Sequence, residues 1–236
     1  MANLWYLSPS DQDKNIGLGA YGSEMEQMIL LADRIIPHLD RCGVDFHLAD
    51  PDVPIDDRPA EANRMGADYY LALHSNAGGG GQAWGPIAFY YEAGEPLARK
   101  LAQELLATGQ KNNRAYNVAK HTGLFELYAP DGVTCLLEVD FHDSLVGVDY
   151  LLNRREDAAK AIAKAIVAID GKQWVDDSEE LNDMYDTIAQ VPSYAKATVQ
   201  KLLDKGFLQG TADGRLKLTE EMCRILVIHD RAGLYD

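Results

Sequence analysis

The stretch that most constrains the fold covers residues 67–77 and is followed by four glycines at positions 78–81. Its central part, Tyr69 to Leu73, is apolar and has the composition of a buried β-strand. This strand delivers His74 and Asn76 to its carboxyl end, where the glycines allow the backbone to turn sharply. Ligands bind at the carboxyl ends of strands in open α/β folds, so His74 is a candidate site residue. The alternative is a half-buried histidine that ends a core strand.

Strands alternate with amphipathic helices along roughly the first 170 residues. This alternation predicts an α/β fold with a mostly parallel twisted sheet flanked by helices. Ser23 is a good N-cap for the first long helix, and Gly43 is suited to end it. Further strands are predicted at 4–7, 44–48, 86–91, 124–128 and 133–137, and further helices at 60–65, 97–109 and 157–169.

The chain is predicted to have a main domain at residues 1–172 and a small helical module at residues 186–236. Residues 173–185 are a predicted linker, because acidic residues replace the apolar periodicity there. In the module, one helix is predicted to start near Ser193 and a second is capped by Thr219. A module of this size has too little core to be more than marginally stable alone.

The charge of the chain excludes two classes of partner. With 22 basic and 37 acidic residues, the formal net charge is −15. Nucleic acid and anionic membrane surfaces both require a basic face, so neither is an expected partner. No stretch approaches the ~20 apolar residues of a membrane span, and the N-terminus lacks the pattern of a signal peptide. We therefore expect synthesis in the cytoplasm without membrane insertion.

Two glutamates accompany His74 as candidate site residues. Glu24 opens the first predicted helix, and Glu138 follows an apolar strand, where a carboxylate should be paired or functional. The ends of these elements can meet at one edge of a parallel sheet. An imidazole and a carboxylate suit a Zn²⁺ site with an open position for water, and a second carboxylate can take the proton of that water. The alternative for Glu24 is a simple interaction with the helix dipole.

Four motifs in this order resemble those of a known enzyme family. They are Ser-Pro-Ser at 8–10, Gly-Ser-Glu at 22–24, His-Ser-Asn at 74–76 and Leu-Glu-Val-Asp-Phe at 137–141. Over roughly residues 1–170 the chain resembles the zinc-dependent N-acetylmuramoyl-L-alanine amidases of the amidase-3 type, which occur in phage endolysins and bacterial autolysins. The resemblance implies Glu24 and His74 as Zn²⁺ ligands, Glu138 as the catalytic residue and Asn76 in substrate orientation.

The first metal ligand departs from the pattern of that family. Where the family has Asp-Pro-Gly-His, this chain has Ser-Pro-Ser-Asp at 8–11 and no histidine before position 38. We take His142, just beyond the last predicted strand, as the third ligand, with Asp11, Gln12 or the lack of a third protein ligand as alternatives. His121, in a loop bounded by glycine, is a further candidate for contact with the glycan or peptide.

These observations predict a peptidoglycan hydrolase that cleaves the amide between N-acetylmuramic acid and the first L-alanine of the stem peptide. It is expected to act at the cell wall after release from the cytoplasm. One alternative is a zinc carboxypeptidase or peptidase acting on stem peptides, and another is a non-catalytic wall-binding protein derived from an amidase. The C-terminal module resembles half of an S-layer-homology unit and the tails of some endolysins, which implies binding to a wall polymer or pairing into a homodimer.

Overall fold

The computed structural model describes residues 3–78, 80–176, 185–211 and 214–235. The chain divides into two compact units, one ending at Trp174 and the other beginning at Val175. The predicted linker at 173–185 lies mostly outside the described residues, because residues 177–184 are not among them.

The first unit is built around a sheet of six strands: Leu4–Pro9 (β1), Asp45–Leu48 (β2), Tyr69–Asn76 (β3), Ile87–Tyr90 (β4), Val118–Lys120 (β5) and Val133–Phe141 (β6). The strand order is β2-β1-β3-β6-β4-β5. Strands β1, β2, β3 and β6 run parallel to one another. Strand β4 is antiparallel to β6 and carries β5 in parallel beside it. The sheet is therefore mostly parallel, as the sequence predicts.

Helices cover both faces of this sheet. They are Glu24–Arg41 (α1), Arg58–Met65 (α2), Glu95–Ala107 (α3), Phe125–Tyr128 (α4), Leu145–Asn153 (α5) and Arg155–Ile169 (α6). On one face, α6 packs against α1 and α3, and Trp5 donates a hydrogen bond to Asp170 just after α6. On the other face, Leu127 of α4 joins Tyr70 and Leu136 in an apolar cluster that also includes Ala62 of α2.

Helix α1 begins and ends at the residues that the sequence predicts. Ser23 Oγ accepts a hydrogen bond from the Glu26 N–H at 3.2 Å, which satisfies one of the unpaired donors of the first turn. At the other end Gly43 adopts a left-handed φ of 66°, a conformation that favours glycine. The N-cap fixes Glu24 in the first helical turn, where it is fully inside the protein.

The structure differs from the sequence predictions at four elements. Residues 124–128, predicted as a strand, contain the single helical turn α4, because Leu127 is buried beneath the sheet while Phe125 and Tyr128 remain exposed. Strand β6 continues beyond the predicted end at residue 137, so Glu138 lies within a strand rather than after it. Strand β5 and helix α5 were absent from the prediction, because each is short or lacks a clear apolar period.

The second unit contains the helices Ser193–Asp204 (α7) and Glu220–Arg231 (α8), which pack against each other. Thr219 caps α8 by accepting a hydrogen bond from the Met222 N–H, as the sequence predicts. A small apolar core forms around Val199, Cys223 and Val227. The role of this unit in wall binding or pairing stays a prediction. No helix among the described residues has both the length and the apolar character needed to cross a membrane.

Gly94, directly before α3, provides a test of how tightly the sheet is packed. A Cβ atom at this position would lie 2.1 Å from the carbonyl oxygen of Thr134 in β6, although the φ of −75° is ordinary. We expect Gly94→Ala to lower the free energy of unfolding by about 1 to 3 kcal/mol in urea denaturation, through steric overlap alone. The matched control is Gly123→Ala, whose Cβ would meet its nearest atom at 3.6 Å. An equal effect of both substitutions would contradict this account.

Candidate active site

The site is assembled at the carboxyl end of β3, where His74 lies beside Glu138 of β6. The two residues are direct partners in the register of the parallel strands. Residues two apart on a strand share a face, so both side chains lie on the face that carries Tyr70 and Leu136. The register thus brings together two residues that are separated by more than sixty positions in the sequence.

His74 is held between two buried carboxylates. Its Nδ1 lies 2.8 Å from Glu24 Oε1, and its Nε2 lies 2.8 Å from Glu126 Oε2. The histidine is only 6% exposed, and the two glutamates are 1% and 4% exposed. Burial alone lowers the pKa of His74, but the hydrogen bonds to both glutamates outweigh it and raise the pKa to about 10. The ring is therefore an imidazolium that donates at both nitrogens.

Glu24 reaches this histidine from the first turn of α1. Burial acts to raise the pKa of its carboxyl, but hydrogen bonds with His74, Ser10 and Asn15 lower it below the ordinary value. Asn15 Nδ2 donates to Glu24 Oε2 at 2.6 Å, on the oxygen that does not face His74. Glu24 is consequently an ionised acceptor whose two oxygens are held in place.

Glu138 has the character of a general acid and base. Its Oε2 is buried and has no hydrogen-bond partner among the described residues. Burial raises the pKa of Glu138 to about 7, the positive charge of His74 opposes this, and the negative charges of Glu24 and Glu126 add to it. A carboxyl with such a pKa can accept and return a proton near neutral pH.

Glu126 is the site residue that the sequence analysis missed. Its Oε1 accepts hydrogen bonds from Ser8 Oγ at 2.6 Å and from Tyr70 OH at 2.7 Å, while Oε2 faces His74. The signal for it was present, because a glutamate inside the apolar run 124–128 is as hard to explain as Glu138. The assignment of this run to a strand hid its proximity to His74.

The third metal ligand predicted from the sequence, His142, does not join Glu24 and His74. Its Nδ1 lies 2.8 Å from Ser75 Oγ, and its Nε2 lies 3.1 Å from Asn15 Oδ1. Burial lowers the pKa of His142, which favours the neutral ring in these contacts. Both ring nitrogens are therefore engaged by neighbouring polar groups.

Of the two alternatives for this ligand, Gln12 lies nearer to the site. Gln12 Nε2 is 3.5 Å from His74 Nδ1, whereas Asp11 Oδ2 accepts a hydrogen bond from the Ile55 N–H at 3.0 Å in another loop. The two ends of an amide exchange places by rotation about its last bond, so Gln12 can present its oxygen there instead. Within the described ranges, no group of three or more His, Cys, Asp and Glu side chains has the spacing of a metal site.

A match to a protein-family model identifies the family of this chain. Residues 11–168, more than half of the chain, match the model described as N-acetylmuramoyl-L-alanine amidase. The chain belongs to this amidase family. The predicted family is thus confirmed, and membership supports the predicted activity, hydrolysis of the amide between N-acetylmuramic acid and L-alanine of peptidoglycan.

Solved structures of amidases share the fold of the first unit. An N-acetylmuramoyl-L-alanine amidase, AmiC2 of Nostoc punctiforme, has a TM-score of 0.64 at 20% identity and covers 71% of this chain and 96% of its own. The catalytic domain of the amidase CwlV from Bacillus (Paenibacillus) polymyxa var. colistinus gives 0.63 at 14% identity, with coverages of 72% and 99%. The amidase Ami1 from Mycobacterium smegmatis gives 0.61 at 17%, with coverages of 72% and 97%. No curated protein that was compared matches the chain.

The two predicted substrate contacts of the amidase lie in different places. Asn76 ends β3 at the rim of the site, where its carbonyl oxygen accepts a hydrogen bond from the His142 N–H at 2.9 Å. His121 follows β5 at the far edge of the sheet, with its ring 5.4 Å from the ring of Phe89. The structure therefore keeps Asn76 beside His74 and does not bring His121 to it.

A buried arginine of the amidase supports the end of β1 below the site. Arg58 is 1% exposed, and its guanidinium donates to the carbonyl oxygens of Val53, at 2.9 Å, and of Pro9. It also donates to Ser8 Oγ at 3.2 Å, and Ser8 in turn donates to Glu126. This chain of hydrogen bonds links the strand end to the carboxylate that faces His74.

Replacing this arginine should destabilise the amidase. Arg58→Met leaves two carbonyl oxygens and a hydroxyl inside the protein without their donor, so we expect the free energy of unfolding to fall by about 2 to 4 kcal/mol. The control is Arg64→Met, the same substitution at an exposed position of α2. It should change the free energy of unfolding by less than about 0.5 kcal/mol. Similar losses for both variants in urea denaturation would contradict the supporting role of Arg58.

Proposed function

We propose that this amidase is zinc-dependent, with Glu24 and His74 as protein ligands and Glu138 as the catalytic acid and base. One observation carries the proposal. A buried imidazole lies at hydrogen-bond distance from one carboxylate and, in the strand register, directly beside a second carboxyl whose buried oxygen has no partner among the described residues. Two zinc ligands and a carboxyl that moves protons are parts of a hydrolytic zinc centre.

The donor atoms present fit such an ion. An imidazole nitrogen and a carboxylate oxygen are usual zinc ligands, and a catalytic zinc site leaves one position for water or substrate. We propose the amide oxygen of Gln12 as the third donor, because the Gln12 amide lies 3.5 Å from His74 Nδ1, whereas His142 and Asp11 contact other groups. The Gln12 oxygen accepts only a long hydrogen bond, from Asn15 Nδ2 at 3.4 Å. An amide oxygen is a weaker ligand than the histidine of the family pattern, so the affinity for zinc should be lower than in amidases that have it.

When bound, Zn²⁺ would polarise the scissile carbonyl and acidify a water molecule. Glu138 takes the proton of the attacking water and then donates it to the nitrogen of L-alanine as the amide bond breaks. Its pKa of about 7 suits both transfers. Asn76, at the rim, is proposed to hold the substrate through its side-chain amide. The products are a free carboxylate on the muramic acid and a free amino group on the stem peptide.

A second candidate function is a non-catalytic wall-binding protein. It is favoured by the absence, among the described residues, of any group of three His, Cys, Asp or Glu side chains with the spacing of a metal site. The salt-bridged His74 also has both nitrogens occupied by carboxylates. Metal content separates this candidate from the amidase, because a wall-binding protein of this kind would purify without stoichiometric zinc after exposure to the ion.

Glu138→Gln tests the catalytic assignment. The amide cannot accept the proton of water, so we expect turnover to fall by at least about 100-fold while zinc stays bound. Digestion of peptidoglycan, followed by mass spectrometry of the released stem peptides, measures the loss. Glu156→Gln, at an exposed position of α6 in the same unit, should leave turnover unchanged. Undiminished activity of Glu138→Gln would remove its assigned role, and shortened stem peptides from the wild type would indicate a peptidase instead.

The identity of the third ligand is tested by two substitutions. Gln12→Ala should weaken zinc binding by about tenfold or more, because it removes a donor, whereas His142→Asn should change the affinity by less than about threefold. Equilibrium competition with a coloured chelator measures both constants. The opposite pattern would restore His142 as the ligand. A wild-type protein that binds no zinc would favour the wall-binding candidate.

A further inference from the structure

We propose that Glu126 is a positioning residue that holds the ring of His74 so that Nδ1 faces the metal. The inference rests on the proposed function, because it assigns Glu126 a role toward the same ion. Glu126 lies at Nε2, the nitrogen on the opposite side of the ring from Glu24. It therefore acts through His74 and touches neither the ion nor the substrate.

The position of the Glu126 carboxylate is fixed from three directions. Oε1 accepts hydrogen bonds from Ser8 Oγ in β1, at 2.6 Å, and from Tyr70 OH in β3, at 2.7 Å. Oε2 faces His74 Nε2 at 2.8 Å. Two hydroxyl donors from separate strands fix the orientation of the carboxylate. The plane of the imidazole that donates to it is therefore fixed as well.

The short helix that carries Glu126 is itself anchored. Leu127 belongs to the apolar cluster beneath the sheet, and its carbonyl oxygen accepts a hydrogen bond from Thr134 Oγ1 in β6 at 2.7 Å. Ser8, which donates to Glu126, is anchored in turn, because its hydroxyl oxygen accepts a hydrogen bond from Arg58. The carboxylate thus belongs to the rigid part of the fold, as the support of a metal ligand requires.

This arrangement selects one form of the ring. A carboxylate at Nε2 keeps the proton on that nitrogen, and the lone pair of a singly protonated His74 then lies on Nδ1. Nδ1 is the nitrogen that faces Glu24 and the side chain of Gln12. A carboxylate behind a histidine ligand is a recurrent arrangement in metal sites, and its loss typically weakens metal binding by about 10- to 100-fold.

A purely structural role for Glu126 makes a different prediction. In that case Glu126 would only satisfy the hydroxyls of Ser8 and Tyr70, and its replacement would lower the stability of the protein without altering the metal affinity of the folded state. Glu61 is the matched control, because it also accepts a hydrogen bond from a tyrosine hydroxyl, that of Tyr6, on the same face of the sheet. Unlike Glu126, Glu61 is not one of the carboxylates bonded to His74, which are Glu24 and Glu126.

The test measures Zn²⁺ affinity and the absorption spectrum of the Co²⁺-loaded protein for the wild type, Glu126→Ala, Glu126→Gln and Glu61→Gln. We expect Zn²⁺ affinity to fall by about 10- to 100-fold in Glu126→Ala, with an altered Co²⁺ spectrum. Glu126→Gln retains an oxygen acceptor and should lose about three- to tenfold, which keeps the test valid if the alanine variant does not fold. Glu61→Gln should match the wild type in both measurements.

Three results would overturn the inference, and they are distinguishable. Wild-type affinity and spectrum in folded Glu126 variants would overturn the positioning role alone and leave the zinc centre in place. An equal loss of affinity in Glu61→Gln would do the same, because it would reveal a general effect of altering the buried face. A wild-type protein that binds neither ion would overturn the proposed function together with this inference.

Discussion

The site depends on an imidazolium that is buried between two carboxylates. Taking a charge out of water costs several kcal/mol unless a partner of opposite charge and hydrogen bonds compensate for it. His74 obtains that compensation from Glu24 and Glu126, which lie on α1 and α4, while the histidine itself lies on β3. Three elements must therefore dock correctly before the charges are neutralised, which couples the formation of the fold to the formation of the site.

The balance of charge in this cluster favours a cation. Three carboxyl groups, on Glu24, Glu126 and Glu138, surround one imidazole, and the surplus negative charge contributes to the raised pKa values of His74 and Glu138. The same surplus stabilises the proton that His74 carries, and it would favour the divalent ion that we propose in its place. The raised pKa values of His74 and Glu138 thus share one electrostatic origin at this edge of the sheet.

The sequence predicts those site residues whose position follows from their immediate neighbours in the chain. His74 ends an apolar strand, Glu24 follows an N-cap, and a strand of parallel type leads to Glu138, so each could be placed from its immediate neighbours. Glu126 and the true surroundings of His142 could not be placed in this way. The contact between Glu126 and His74 spans 52 positions and depends on how a single helical turn packs under the sheet. Local periodicity carries no information on such packing.

The reversed direction of β4 and β5 has a consequence for recognition of the cell wall. Because Ile87 of β4 is the register partner of Glu138, the amino end of β4 lies at the rim of the site. The segment leading into β4 therefore borders the chemistry, and it is held by exposed contacts such as the hydrogen bond from the Trp84 N–H to Asn113. Insertions in these connections would reshape the rim of the site while the buried charges stay untouched, so specificity for sugars and peptides can diverge independently of catalysis.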